Sequence, residues 1–194
     1  MTTRRKNDLY PTESAVTKIL LQQFPNMRGC ILEPCAGPGL MVEALKYPGF
    51  RVIYTNDIDS AYDTAYTGDA GSPTAECWQR EWDWVVTNPP FSEAERILPL
   101  ALGRADKVAF LLRLTYMEPT NGRADWLKQH ADQMIWLGVL NPRPKFRKGE
   151  INPKTGKPFG TDNATVAWFV WDKQWSWARR GIRPPFGFVT EWNR

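Results

Sequence analysis

Histidine is almost missing from this 194-residue chain, in which His130 is the only one. Histidine-rich metal sites and Ser/His/Asp catalysis would both hang on that one side chain, in a segment that reads as helical, so a packing or surface role is expected for it. Cysteine is also sparse. Cys30, Cys35 and Cys77 are an odd number without a CxxC pair, which argues against a disulfide framework or a zinc site and points to a reducing cytoplasm. Long apolar runs are absent as well: Ala164 to Trp171, broken by one threonine, falls well short of the ~18 residues that span a bilayer. The basic start, Met1 to Asp8, leads into no apolar stretch, so no secretory signal is expected. What is present, 42% hydrophobic and 24% charged residues, is ordinary for a globular protein and excludes collagen-like, coiled-coil and wholly disordered readings. The length suits one domain over residues 1–194.

The net charge of +4 is unevenly spread. From Asn141 to Arg183 there are ten Lys/Arg against three acids, a segment charge of +7, which leaves the remainder at −3. A basic stretch beside a neutral-to-acidic body suits a polyanionic partner, because neutralising phosphates releases counterions. The plainer reading is a solvated loop that keeps the protein soluble.

Runs rich in β-branched and aromatic residues alternate with helix-like stretches, the pattern of a mostly parallel open α/β sheet with helices on both faces. Strands are predicted at Cys30–Pro34, Arg51–Asn56, Trp84–Thr87, Val108–Arg113, Met134–Val139 and Thr165–Trp171, with a weak one near Glu76–Gln79, about seven in all. Helices are predicted at Glu13–Gln23, with Thr12 as N-cap, and at Leu40–Lys46, Ala61–Tyr66, Glu93–Leu102 and Arg123–His130. Residues 141–163, with prolines at 142, 144, 153 and 158 and glycines at 149, 156 and 160, read as a long basic loop between the last two strands. Loops beyond ~12–15 residues in a compact domain are usually functional or disordered. The tail, 174–194, carries Trp175, Trp177, Phe186, Phe188 and Trp192 and is expected to pack back on the sheet, since so many aromatics in water would form an exposed patch.

Three motifs carry chemistry. Ile31 to Leu40 is an apolar strand running into a glycine-bearing turn, Glu33-Pro34-Cys35-Ala36-Gly37-Pro38-Gly39, and then a helix. Glycines let the backbone turn sharply and approach a ligand at a strand's carboxyl end, where doubly wound sheets bind cofactors. Only Gly37 and Gly39 match the dinucleotide fingerprint, because position 42 is valine. About twenty residues on, a strand ends at Asp57, whose carboxylate can accept ribose hydroxyls; Asp59 is expected to cap the next helix. Asp69 follows, placed to accept a hydrogen bond from an adenine amino group. Val85-Val86-Thr87-Asn88-Pro89-Pro90-Phe91 is the third motif. Consecutive prolines after a strand stiffen the chain and remove donors, leaving carbonyls as acceptors. With the Asn88 side-chain carbonyl and the Phe91 ring, they suit a planar aromatic ring that bears an amino group.

Together these residues resemble the S-adenosylmethionine-dependent adenine-N6 DNA methyltransferases. The resemblance covers about the first half of the chain and is most specific at Asn88-Pro89-Pro90-Phe91. It implies a single-domain Rossmann-like methyltransferase fold. It makes Glu33, Pro34, Cys35, Gly37 and Gly39 the cofactor loop, Asp57 the ribose-binding acid, Asp69 the adenine-contacting acid, and Asn88, Pro89, Pro90 and Phe91 the catalytic motif, with Asn88 also beside the cofactor. Asp8-Leu9-Tyr10-Pro11-Thr12 is similar to the segment that the family lays over the methionine end of the cofactor, which adds Tyr10 and Thr12. Arg143-Pro144-x-Phe146 and the later Trp168-Phe169-Val170-Trp171 look like small phage-encoded members, which implies a bacterial or phage-infected cytoplasm.

A purine's exocyclic amine is a poor nucleophile because its lone pair is delocalised. Acceptors at Asn88 and the Pro89 carbonyl would favour a tetrahedral nitrogen aimed at the sulfonium methyl. In double-stranded DNA that atom is out of reach, so an adenine must flip out, with Phe91 replacing part of its stacking. Arg143, Lys145, Arg147, Lys148, Lys154 and Lys157, and the basic residues through Arg183, would hold phosphates. No metal and no membrane contact are expected, and the protein would act as a monomer or homodimer. Larger relatives carry a separate target-recognition domain, whereas only 103 residues follow Phe91 here. That keeps RNA adenine methylation as the rival reading, followed by methylation of a protein glutamine amide and by a non-catalytic nucleic-acid-binding module.

Overall fold

The computed structural model describes residues 12–46, 51–118, 120, 122–144, 146, 151, 155–157 and 164–187. Within them the chain runs through helix α1 (Ser14–Gln23), strand β1 (Gly29–Glu33), α2 (Leu40–Leu45), β2 (Arg51–Asp57), β3 (Tyr66–Thr67), β4 (Trp82–Thr87), α3 (Ala94–Arg104), β5 (Ala105–Arg113), α4 (Arg123–His130), β6 (Met134–Val139) and β7 (Val166–Asp172). Among the described residues seven strands form one sheet in the order β3-β2-β1-β4-β5-β7-β6. Every pair from β3 to β5 is parallel, and β7 runs antiparallel between β5 and β6. This is a Rossmann-like sheet whose order reverses between β1 and β4, the switch point at which such sheets open a crevice beyond the strands' carboxyl ends.

The apolar character of the strands follows from burial on both faces. Leu32, Val85, Phe110, Phe169 and Trp171 face one cluster, with Ile97, Leu98 and Ala101 of α3 and Leu127 of α4. Their neighbours Ile31, Trp84, Val86, Ala109, Leu111, Trp168 and Val170 face the other, with Val16 and Leu20 of α1 and Met41 and Leu45 of α2. The period-2 alternation of a pleated strand therefore splits each apolar run between two cores. Trp168, fully buried, donates its indole N–H to the Val16 carbonyl at 3.0 Å and ties β7 to α1.

Four sequence expectations are corrected. The weak strand near Glu76–Gln79 is a 3₁₀ turn over Glu76–Trp78, in which Cys77 and Trp78 are buried as a plug and Trp78 donates its indole N–H to Ala70 O at 2.9 Å. Its apolar residues pack against helix and sheet without pairing as an edge. The helix predicted over Ala61–Tyr66 is absent: turns lead into the two-residue β3. Side chains there satisfy the backbone locally, Asp59 accepting from Ala61 N–H at 3.0 Å, Thr55 from Ala65 N–H at 3.1 Å, and Thr64 donating to Tyr66 O at 2.7 Å. Such bonds compete with helical ones. Asp59 thus closes a turn and caps no helix. The N-cap of α1 is Glu13, without a side-chain cap bond; the Thr12 hydroxyl is engaged elsewhere.

The basic segment is also divided. β6 ends and β7 begins at the carboxyl edge of the parallel strands, so Arg143 starts from that edge. β7 ends at the opposite edge, where Asp172 pairs with Lys107 and Lys173 N–H bonds Asp106 O at 2.8 Å. Arg179, Arg180 and Arg183 follow from there, at the edge opposite the one from which Arg143 starts. The tail packs against the start of β6 through Trp177 Nε1 to Met134 O at 2.9 Å and Ser176 Oγ to Asp132 Oδ2 at 2.5 Å. Phe188 and Trp192 lie outside the described residues.

Candidate active site

Four strand ends meet around the switch point. β1 ends in Glu33, 1% exposed. Its Oε1 accepts the Cys35 N–H at 3.1 Å, and its Oε2 is sealed from solvent with no hydrogen-bond partner among the described residues. Burial pushes this carboxyl from an ordinary 4.5 up to about 8, with Asp57 adding to the rise. The Cys35 N–H works against it, as does Thr87 Oγ1, which lies near enough to favour the ionised form without reaching hydrogen-bond geometry. Burial, with Glu33 and Asp57 nearby, also drives the Cys35 thiol well up, so it is held protonated and is no nucleophile.

The turn after β1 is organised by the end of β2. Ala36 N–H bonds Asn56 O at 2.9 Å, Gly37 N–H bonds Asp57 Oδ2 at 2.8 Å, and Asn56 Nδ2 donates to Pro34 O at 2.9 Å. Gly37 and Gly39 sit at φ +51° and +82°, where a side chain would be strained, and a Cβ on Gly39 would meet nothing within 4 Å among the described residues. Asn56 Nδ2 reaches on to Gly68 O at 3.0 Å, so this buried amide ties the glycine turn to the loop that holds Asp69. Sequence reasoning passed over Asn56. Its position beside Asp57 at a strand's end was the available signal.

The two predicted acids are more occupied than expected. Asp57, 8% exposed, accepts Gly37 N–H on Oδ2 and Asp59 N–H on Oδ1 at 2.9 Å. Each oxygen has a second lone pair for a ligand hydroxyl, but its first task is to shape the turn. Asp69 accepts Gly71 N–H at 2.8 Å and pairs with Arg96 of α3 at 2.9 Å. The Gly71 N–H first, and then Arg96, hold its carboxyl below the usual range. Arg96 also pairs with Glu93, so Asp69 serves as a link between loop and helix.

β4 leads into Asn88-Pro89-Pro90-Phe91. Asn88 Nδ2 donates to Thr12 Oγ1 at 3.0 Å, which joins the N-terminal segment to the motif. Pro90 O accepts Glu93 N–H at 2.8 Å and starts α3. The Pro89 carbonyl takes no hydrogen bond among the described residues. At the end of β5, Arg113 lays its guanidinium over the Phe91 ring, 4.8 Å from the centroid. The geometry thus brings together Thr12, Glu33, Pro34, Cys35, Gly37, Gly39, Asp57, Asn88, Pro89, Pro90 and Phe91, adds Asn56 and Arg113, and leaves Asp69 committed to α3. Arg143 and Lys157 are exposed; Tyr10, Lys145, Arg147, Lys148 and Lys154 lie outside the described residues. His130 stacks on Trp126 and bonds its carbonyl at 2.8 Å, a packing role. Among the described residues, no three His, Cys, Asp or Glu side chains gather as a metal site would need, and no helix is long and apolar enough to cross a membrane.

No family model and no curated protein matches the chain. Solved structures do. A type I restriction-modification methyltransferase subunit from Streptococcus thermophilus is similar with a TM-score of 0.58 at 15% identity, over 83% of this chain and 43% of that one. A candidate RNA methyltransferase from Pyrococcus horikoshii is similar with a TM-score of 0.57 at 15% identity, over 82% of this chain and 83% of that one. The 23S rRNA methyltransferase ErmE is similar with a TM-score of 0.57 at 12% identity, over 87% of this chain and 71% of that one. At such identities the likeness is one of fold, and the fold is the Rossmann-like methyltransferase fold.

Proposed function

We propose that this chain transfers a methyl group from S-adenosylmethionine to the exocyclic N6 amine of an adenine in DNA. The observation that carries the reading is the Asn-Pro-Pro-Phe corner at the end of β4, beside the glycine turn that follows the neighbouring strand β1 at the switch point, with one proline carbonyl spent on starting α3 and the other taking no hydrogen bond among the described residues.

The residues present fit the donor. Glu33, a buried acid with one oxygen lacking a partner among the described residues, suits a cationic amine. The open space over Gly39 admits a ligand against the backbone, and Asp57 has lone pairs to spare for ribose hydroxyls. When bound, S-adenosylmethionine supplies a methyl group made electrophilic by its sulfonium. Thr12 holds the Asn88 amide by its Nδ2, which makes Oδ1 the atom that accepts. Asn88 Oδ1 and the Pro89 carbonyl then receive the two hydrogens of the adenine amine, orient its nitrogen, and stabilise the positive charge that develops on it. The surplus proton leaves afterwards from an acidic alkylated nitrogen, so no side chain need act as a base first. Phe91 offers a ring face to a base taken out of its stack.

RNA is the second reading, favoured by the RNA methyltransferases among the structural neighbours. The test is to incubate the purified protein with labelled S-adenosylmethionine and double-stranded DNA, RNA or protein, then digest and identify the labelled unit. N6-methyldeoxyadenosine is the expected product. Label in N6-methyladenosine alone would move the substrate to RNA, and label in glutamine would remove nucleic acid from the account.

A further inference from the structure

We propose that Arg113 anchors a backbone phosphate of the very nucleotide whose base is presented to Asn88, which makes the acceptor a phosphodiester polymer. The inference rests on the methyl-transfer reading above and adds to it a binding residue on the acceptor side of the site.

Arg113 ends β5, one strand beyond β4 and on the side away from β1 and β2. A negative group drawn there belongs to the acceptor, because the glycine turn and Asp57 lie on the other side of β4. Other arginines near this region are neutralised. Arg96 pairs with Asp69 and Glu93, and Arg123, which stacks on Tyr116, with Glu95. Among the described residues Arg113 has no carboxylate partner, and its Nε, sealed from solvent, has no acceptor. A half-buried cation left in that state carries a desolvation cost that a bound anion would offset.

The guanidinium suits a phosphate in particular. It is a rigid fork whose donors match two phosphate oxygens at once. Stacking on Phe91 already fixes its plane, so little further freedom is lost when an anion docks. Arg113 thereby lies over one face of Phe91, which fixes the fork beside the Asn88 corner. The ring then acts as a spacer that sets the base against Asn88 while the charged fork holds the same nucleotide's backbone. A glutamine side chain on a protein surface would bring no anion to this position.

The test uses Arg113→Met and Arg113→Lys in the full chain, with thermal stabilisation by S-adenosylmethionine confirming that each is folded and binds the donor. Transfer is measured on double-stranded DNA, and affinity on a short fluorescein-labelled duplex across a salt series. Arg113→Met is expected to raise KM for DNA about tenfold, with kcat changed less than KM, and to lower the salt slope of binding by about one counterion. Arg113→Lys should keep the slope and recover part of the KM. A duplex with a neutral methylphosphonate beside the target adenine should cost the parent protein about as much as the Met substitution and cost Arg113→Met little more. Parent-like KM and slope in Arg113→Met, or an equal methylphosphonate penalty in both proteins, would overturn the proposal. Should Arg113→Met not fold, an unchanged KM in Arg113→Lys would do so. Absence of transfer to DNA and RNA by the parent would sink the methyl-transfer reading alone, and the salt slopes would still decide whether Arg113 holds phosphate.

Discussion

At the scale of single residues, Asn88 and Glu33 have separable tasks. Asn88 addresses the acceptor amine, and Thr12 fixes its amide. Asn88→Ala should lower turnover by about 100-fold or more, the usual size for losing one preorganised hydrogen bond to developing charge, while donor affinity by calorimetry stays close to that of the parent. Comparable turnover would remove Asn88 from its role. Glu33 makes a different forecast. Its carboxyl, pushed up to about 8 by burial, is mostly protonated at neutral pH, and a cationic ligand favours its ionised form. Donor affinity should therefore rise with pH to about 8, with protons released on binding below it, and Glu33→Gln should flatten that profile. The unliganded protein shows the linked effect. Because the folded state holds this proton more tightly than the unfolded chain, stability falls as pH rises from about 4.5 to about 8 and levels off above. Thermal unfolding across that window, with Glu33→Gln lacking the slope, is the check.

At the scale of elements, the end of β2 does more than its sequence announces. The Asn56 amide bonds Pro34 O and Gly68 O, so Asn56→Ala would strand two carbonyls in the interior at roughly 1–3 kcal/mol each. The expected outcome is a lower unfolding midpoint together with weaker donor binding, although Asn56 need touch no ligand. The central strands β4, β5 and β7 were legible because their apolar runs are long and buried on both faces; the half-buried edge strand β6 falls on its expected residues, Met134–Val139, and α4 on Arg123–His130. The crossover between β2 and β3 was not. A periodic pattern invites a helix at 61–66, but Asp59, Thr55 and Thr64 satisfy the backbone one bond at a time, a competition that composition alone does not reveal. The candidate site divides along the same line. Motifs that are contiguous in the chain, the glycine turn and the Asn88 corner, could be read directly. Contacts made between elements distant in the chain, Arg113 of β5 on Phe91 and Arg96 of α3 on the loop residue Asp69, depend on register and strand order.

At the scale of the whole molecule, the segments that carry the basic residues leave one sheet by opposite edges. The segment 141–163, with six Lys/Arg against two acids, leaves β6 and returns to β7 at the edge that carries Asn88 and Arg113. Lys173, Arg179, Arg180 and Arg183 follow β7 at the other edge, where Arg180 stacks on Trp175 at 3.9 Å. A strand the length of β5 keeps the edges roughly 25 Å apart, about three Debye lengths at physiological salt, where that length is ~8 Å. Charges at the far edge can therefore contribute little to phosphates held at the near one. Reversing Lys145, Arg147 and Lys148 should weaken binding to duplex DNA and reduce its salt slope by up to about three counterions. Reversing Arg179, Arg180 and Arg183 should change the slope by less than about one. Anisotropy over a salt series distinguishes the two sets. Equal losses from both would mean that the nucleic acid reaches around the sheet to both edges, and that the division of charge by topology does not govern binding.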